Sequence, residues 1–374
     1  MAKKDFEMGE EIRCWGVCIP DNAAEEVAKT LKSTWINTGK KEKEFREKIC
    51  NRFKAPYAIA CMSGTAALKI ALRALDVGPG DEVVSTPFTF IATNTAILEV
   101  GAKPVFADIQ YETLNIDPKS VEEKITDKTK AIMCVHYAGN PVDLDELRAV
   151  AKRHNLPIIE DSAHAMTSEY KGNPIGSTGD IATFSFQCVK IVTCGDGGVV
   201  TTTNEEIYKK LKKQTWYGID REAKKTDKLD PLPSTPDGVG FKSNMNDITA
   251  TLACVAIDYI DVPLERRRKI GDLYRKEFAD LEKIKLIEYK DYWKPNYQIF
   301  PVHVENRLEF AEYMWKQGIQ VNVNNRRNDT YDIFGGLCDL PNTKRADEDV
   351  ILIPLHNDLM DKDVERIVKA VKSF

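Results

Sequence analysis

No stretch of the 374 residues approaches the roughly 18 unbroken apolar residues that a membrane helix needs, which argues against a membrane protein. A basic excess is also missing, since Lys plus Arg number 53 against 58 for Asp plus Glu, a formal charge of −5. Nucleic-acid binding draws its affinity from clustered Lys and Arg, so that class is set aside too. The nine cysteines, at positions 14, 18, 50, 61, 134, 188, 194, 254 and 338, form no CxxC pair. Five histidines do not supply paired ligand spacing either, and no metal site is expected. Most of the cysteines lie inside apolar runs such as AIMCVHY and TLACVAI, which reads as buried free thiols in a reducing compartment. The opening MAKKDFEMGEEIRCWG lacks the apolar core of a secretory signal, and a cytoplasmic protein is expected. Neither a GxGxxG after an early strand nor a GxxxxGK[ST] occurs, so the dinucleotide and P-loop readings lack their fingerprints. No internal repeat or low-complexity segment is visible.

What is present is enough apolar side chain for a core, at 43% hydrophobic and 30% charged residues. From residue 22 the pattern alternates between helical and strand periods. Helices are predicted in DNAAEEVAKTLKST, SGTAALKIALRAL, IATNTAILEV, near Ser120 to Ile125, in DLDELRAVAKRHN and in EEIYKKLKK. Strands are predicted in EVVSTP, PVFADI, AIMCVHY, PIIED, ATFSF and GGVVTTT. This alternation implies an α/β fold with a mostly parallel sheet covered by helices on both faces, where ligands sit at the carboxyl ends of the strands.

A long stretch without periodicity, TWYGIDREAKKTDKLDPLPSTPDGVGFKSN, follows, and loops of that length are usually functional or disordered. Two helices are then expected, in NDITATLACVAIDYI and in VPLERRRKIGDLYRKEFADL. The remainder, with strands in YQIFPVHV and IQVNVN and helices in RLEFAEYMWKQ and DKDVERIVKAVKSF, reads as a smaller α+β domain. The expected division is an N-terminal arm and large domain over 1–258 and a small domain over 259–374.

Three features could carry chemistry. Between Ile181 and Thr203 the only charged residues are Lys190 and Asp196. Burial among apolar residues lowers an amine pKa, which lets a lysine act as nucleophile and later as base at neutral pH, although such a lysine can also snorkel to the surface. Asp161 closes the strand in PIIED and so faces the strand-end crevice. Pyridoxal phosphate (PLP) needs such a carboxylate against its pyridine nitrogen, and the competing reading is an ordinary N-cap. His164, three residues on, could bond the cofactor's phenolic oxygen. Finally, Ser63, Gly64 and Thr65 open a helix straight after the apolar YAIACM, where backbone N–H groups and a hydroxyl suit an anion. Ser185 could add a second hydroxyl to the same phosphate, and Phe88 could stack on a ring. Singly each feature is weak, but together they supply the parts of one cofactor site in strand-end order.

On these residues the chain resembles the DegT/DnrJ/EryC1/StrS family of PLP-dependent nucleotide-sugar aminotransferases. The likeness runs from STWINTG through SGTAALKIALRALDVGPGDEVVSTPFTFIAT, PVFADI, IIEDSAHA and FSFQCVKIVTCGDGGVV to LIPLHNDL. It implies the aspartate aminotransferase (type I) fold, a homodimer with shared active sites, and PLP as cofactor. Carried over by position, it makes Lys190 the lysine that holds the cofactor covalently, Asp161 the partner of the pyridine nitrogen and His164 that of the phenolic oxygen. Gly64, Thr65 and Ser185 would hold the phosphate and Phe88 would face the ring. Asn244, and with it Lys242, falls in GFKSNMNDITA, the segment expected to reach the neighbouring subunit's cofactor.

Because Lys190 is kept, the resemblance implies amino transfer from L-glutamate to a nucleotide-linked keto sugar, at C4 of a 4-keto-6-deoxy sugar. The alternatives are a keto-cyclitol or C3 keto-sugar aminotransferase, or a non-catalytic sugar-binding homologue. Gln187 stands where many relatives have histidine or tyrosine, close to the substrate. Arg221, Arg326 and Arg327 are candidates for a diphosphate, since arginine forks match phosphate oxygens, and solvated loop charges are the competing reading.

Overall fold

A computed structural model describes residues 11–223, 229 and 232–374. Residues 1–10 and part of the long aperiodic stretch (224–228 and 230–231) lie outside the described residues.

The helices are α1 (Ala23–Lys32), α2 (Lys40–Phe53), α3 (Gly64–Ala74), α4 (Ile91–Glu99), α5 (Pro118–Lys124), α6 (Leu144–His154) and α7 (Glu205–Thr215). After them come α8 (Asp247–Asp258), α9 (Asp261–Phe278), α10 (Arg307–Lys316), α11 (Pro341–Asp349) and α12 (Asp361–Lys372). The strands are β1 (Tyr57–Cys61), β2 (Glu82–Ser85), β3 (Lys103–Phe106), β4 (Thr129–Val135), β5 (Ile158–Asp161), β6 (Glu169–Tyr170) and β7 (Asn173–Pro174). They continue with β8 (Ile181–Ser185), β9 (Gly198–Thr202), β10 (Ile284–Leu286), β11 (Trp293–Lys294), β12 (Phe300–Val304) and β13 (Val350–Ile353).

Seven strands form one sheet in the order β1-β9-β8-β5-β4-β2-β3. Pairing is parallel from β8 through β5, β4 and β2 to β3, and β9 runs antiparallel to both its neighbours. The mostly parallel α/β sheet of the sequence reading is therefore what folds. Strands buried on both faces are continuous apolar runs, and β4 and β5 bury every residue but Lys130. The helices between them show one apolar face: α6 buries Leu144, Leu147, Val150 and Ala151 while its charges face out. Among the described residues, no helix is long and apolar enough to cross a membrane.

Register decides where the site forms. Cys61 at the end of β1 and Ser185 at the end of β8 both pair with Gly198 of β9, so these two carboxyl ends are level. Asp161 at the end of β5 pairs with Thr183 of β8 and with Val135 at the end of β4. One sheet edge thus carries the starts of the Ser63 turn, the Asp161 turn and the Lys190 loop.

A three-stranded antiparallel sheet, β10-β12-β13, forms in the C-terminal part over a core that includes Tyr274, Phe278, Phe310 and Ile367. Ile12 joins that core and pairs with Ile319, so the N-terminal segment packs on the C-terminal sheet. The strand predicted in IQVNVN is a correction, because only isolated bridges form there, Ile12 to Ile319 and Asn322 to Leu352. Alternation fails after Val321, where Asn322 and Val323 are both exposed and no buried face remains to fix a register.

Candidate active site

The three strand-end turns enclose a cavity of about 380 Å³. Ser63, Gly64 and Thr65 enter it from the start of α3, Asp161 and His164 from the end of β5, and Ser185, Gln187 and Lys190 from the end of β8.

At the first turn, the Ser63 hydroxyl accepts from Ala66 N at 3.1 Å and caps α3. The first intrahelical bond runs from Ala67 N to Ser63 O, so the Gly64 and Thr65 amides have no helical partner and point to the helix start. Gly64 has a steric reason: a Cβ there would stand 2.9 Å from Ser185 Cβ and 3.2 Å from its hydroxyl. That close approach brings two hydroxyl-bearing turns to one anion-sized place.

Asp161 is buried, and its carboxylate is held on both oxygens. Oδ2 accepts from Thr93 Oγ1 at 2.8 Å, Thr93 is in turn bonded to Thr89 at 2.9 Å, and Oδ1 accepts from Ala163 N at 3.1 Å. Burial raises its pKa, while the bonds from Thr93 and Ala163 and the Lys190 and His136 charges pull it back toward the ionised form. His164 stays neutral, because burial and the facing Lys190 hold its pKa well below 6.5. Its Nδ1 is buried with no hydrogen-bond partner. A buried orphan on a site wall is satisfied by whatever fills the cavity.

Lys190 sits in a loop that leaves β8 through a turn, with Lys190 N donating to Gln187 O at 2.9 Å. The loop is tied back by Thr193 Oγ1 to Phe186 O at 3.0 Å before it enters β9. Burial lowers the ammonium pKa to about 8, opposed by the Asp161 carboxylate and reinforced by Arg267. An amine in this range has an appreciable neutral fraction at physiological pH, as a nucleophile and base requires. Gln187 lines the cavity but turns its amide onto its own loop, accepting from Val189 N at 3.1 Å and donating to Cys188 Sγ at 2.9 Å.

Two expectations are corrected. Phe88 is buried and does not line the cavity; the Thr86 hydroxyl accepts its N–H in a tight turn, and its ring packs on Tyr137, with centroids 5.1 Å apart. Tyr137 lines the cavity instead. Arg327 is buried and spends its fork on Asp329 at 2.6 and 2.7 Å, with a further bond to Cys338 O, so it has no face for a phosphate. Arg326 is exposed, next to the lining residues Asn324 and Asn325.

Arg221 and Asn244 line a separate pocket of about 270 Å³ with Arg46 and Lys212. There Asn244 Nδ2 donates to Thr38 Oγ1 at 2.5 Å, and Lys242 donates to Asn244 Oδ1 at 2.6 Å. Within one chain these three do not join the strand-end cavity. Conversely, Trp15, Thr93, Tyr137, Gln298 and Asn324 line the cavity without having been expected there. Thr93 is in the first turn of α4 and bonds Thr89, which precedes the helix. The others come from distant segments and carry no local signal.

A family model, the DegT/DnrJ/EryC1/StrS aminotransferase family, matches residues 17–372. The chain belongs to this family. It is therefore an aminotransferase, a transferase that uses PLP, and the resemblance read from the sequence holds over nearly its whole length. The chain is 38% identical over 369 residues to the uncharacterized protein MJ1066 of Methanocaldococcus jannaschii, covering 96% of each. Among solved structures it is similar to the sugar aminotransferase CalS13 from Micromonospora echinospora, at 30% identity and a TM-score of 0.92, over 97% of this chain and 99% of that one. The PLP form of Spr1654 from Streptococcus pneumoniae is similar at 31% identity and a TM-score of 0.90, over 97% and 98%.

The residues present fit PLP. The free amides and hydroxyls around Gly64 suit its phosphate, the orphaned His164 Nδ1 awaits an acceptor or donor, and the twice-bonded Asp161 can accept from a pyridinium.

Proposed function

We propose that this aminotransferase moves an amino group from L-glutamate to a nucleotide-linked keto sugar, at C4 of a 4-keto-6-deoxy sugar, for amino-sugar and glycan assembly. The observation that carries the reading is the meeting of Lys190, its pKa lowered to about 8, with the buried Asp161 in one cavity of about 380 Å³. Similarity to the sugar aminotransferase CalS13 supports the sugar, and GFKSNMND resembles the segment of enzymes that aminate C4.

PLP, when bound, supplies the electron sink that stabilises negative charge at the donor's Cα. This chain's residues do the rest. Lys190 would carry the cofactor, and its Nζ, once released, would take the proton from the donor's Cα and deliver it to the cofactor's C4′. Asp161 keeps the pyridine nitrogen protonated, with Thr93 and Ala163 fixing the carboxylate. Neutral His164 bonds the phenolic oxygen through Nδ1. Gly64, Thr65 and Ser185 bind the phosphate, and Gln187 stands toward the substrate. Arg326, exposed beside Asn325, is the remaining arginine of its segment suited to a diphosphate.

Arg221, Lys242 and Asn244 act in a second copy's cavity, so the working unit is a homodimer with shared sites in the cytoplasm. The large domain over 1–258 supplies the cofactor residues, and the small domain over 259–374 closes the cavity with Gln298 and Asn324.

The test is an absorbance spectrum near ~330 and ~410 nm, before and after adding L-glutamate, about where the pyridoxamine and PLP forms absorb. Bleaching of the longer-wavelength band with glutamate, followed by its return with a 4-keto-6-deoxy nucleotide sugar, is the expected result. Bleaching reversed only by a keto-cyclitol or a 3-keto sugar would replace the acceptor. A spectrum unmoved by glutamate would overturn the donor.

A further inference from the structure

One buried side chain outside the residues assigned above grips the backbone on both sides of Lys190. Gln298, in the segment leading into β12, is 2% exposed and lines the cavity. Its Nε2 donates to Val189 O at 2.9 Å and its Oε1 accepts from Ile191 N at 3.0 Å. These are the residues immediately before and after Lys190, so a single carboxamide spans the lysine. Both ends of the amide are used, and each bond is made by a buried or nearly buried group, where an unmade bond is expensive.

Gln298 is itself held. Its N–H donates to Asn296 Oδ1 at 2.9 Å, and its C=O accepts from Arg267 Nη1 at 2.9 Å. Arg267, 2% exposed, also bonds Tyr297 O, Leu355 O and Asn357 Oδ1 at 3.1–3.2 Å. Asn296 Nδ2 in turn donates to Met166 O at 2.5 Å. The amide therefore works from a fixed base.

The Lys190 loop has no ladder of its own over Gln187–Thr193. Without the clamp, the two peptide planes flanking Lys190 could rotate, and the four-carbon stem would turn a small rotation into an ångström-scale displacement of Nζ. Displacements of that size at a reacting group lower rates by roughly a hundredfold.

We infer that Gln298 is a positioning residue for Lys190, holding the flanking peptides so that Nζ stays within the cavity facing Asp161. The inference rests on Lys190 being the reactive lysine. Its consequence is that small-domain residues set the lysine's chemistry. The groups facing the ammonium are Asp161, Arg267, Cys188 and the neutral His164. A loosened loop admits water, weakens the desolvation and lets the amine move back toward its ordinary range.

The experiment compares wild type with Gln298→Met, which keeps the length and loses both bonds, and Gln298→Glu, which keeps the acceptor for Ile191 N but loses the donor to Val189 O. In the cofactor-free proteins, trace acetic anhydride labelling of Lys190 is read by mass spectrometry against pH. The wild-type midpoint is expected near pH 8. Gln298→Met should move it up by about one unit, and Gln298→Glu further, because its carboxylate also favours the charged amine. In the PLP-loaded enzymes kcat should fall about 10- to 100-fold with little change in the KM for glutamate.

A folded, PLP-binding Gln298→Met with wild-type midpoint and kcat would overturn the inference. Should that variant not fold, the wild-type protein still decides by hydrogen exchange over residues 187–193. Protection of the Ile191 amide supports the clamp, and exchange at the speed of an open loop overturns it. Borohydride fixation of PLP on another lysine would instead defeat the reading of Lys190 itself.

Discussion

At Lys190 the chain places a cation where a cation is poorly solvated, and that is a stability statement as well as a chemical one. Its folded pKa is lowered to about 8 from 10.5, mainly by burial. Below pH 8 the amine is protonated in both folded and unfolded chains, and the full penalty of burying the charge is present. Between pH 8 and 10.5 the unfolded chain still binds the proton that the folded one has lost, so stability rises with pH. Above 10.5 both are neutral and the penalty is gone. Cofactor-free Lys190→Met should therefore melt higher than wild type at pH 7, with the gap closing as pH is raised through that window. Thermal melts at a series of pH values check this, and a gap independent of pH would deny the buried charge. Lys190 was legible as a lone cation in an apolar run and Asp161 as a carboxylate closing a buried strand, while His164 was read from its place three residues after Asp161. Arg327 was misread because Asp329, two residues away, takes both arms of its fork, and side-chain pairing of that kind has no sequence signature.

Helices and strands carried most of the legible pattern, and their failures have local causes. Helix α2 lies where no element is predicted, although Phe45, Ile49 and Phe53 repeat every four residues on one buried face. Its start is unusual, since the N-cap is Gly39 with no side chain to offer. Asp247, from the first turn of α8, supplies the cap from a distance: its carboxylate accepts from Gly39 N at 2.8 Å, Glu42 N at 3.0 Å and Lys41 N at 3.2 Å. Asp247→Ala leaves those buried donors unmatched and should destabilise the fold by about 1–2 kcal/mol, read from denaturant midpoints at constant m. An unchanged midpoint would mean water replaces the carboxylate. Strand β13, VILI, is a four-residue apolar run too short to separate from a helix by period. Thr93 of α4 shows the reverse case, an element placed correctly whose functional face became visible only when β5 was packed beneath it.

At the scale of the whole molecule, the separation of Arg221, Lys242 and Asn244 from the strand-end cavity makes the proposed dimer testable. If these side chains serve a second copy's site, a Lys190→Ala chain and an Asn244→Ala chain paired together retain one intact site, with lysine from one and asparagine from the other. Random pairing of equal amounts gives half heterodimers, and so about a quarter of wild-type activity from two impaired proteins. No gain over the sum of the separate variants would show that both residues act within one chain. The N-terminal segment and the C-terminal part meet through Ile12 and Ile319, and Trp15 and Asn324 reach the cavity from those two ends. Residues so far apart in sequence could not be linked by pattern.

The amino-acid order by itself determined the alternation of strands and helices, the parallel sheet, the strand-end turns, and the lysine and aspartate placed on them. Those are local facts, since period, capping and the rarity of a charge in an apolar run are all written within a few residues. Tertiary structure alone decided that Gln298 spans Lys190, that Thr93 holds Asp161, that Tyr137 lines the cavity with Phe88 packed against it, and that Arg327 is consumed by Asp329. The first three depend on strand register and on segments up to 109 residues apart meeting, while Arg327 and Asp329 pair within a short turn, and hydrogen bonds and ion pairs of both kinds are set by where the packed elements come to rest.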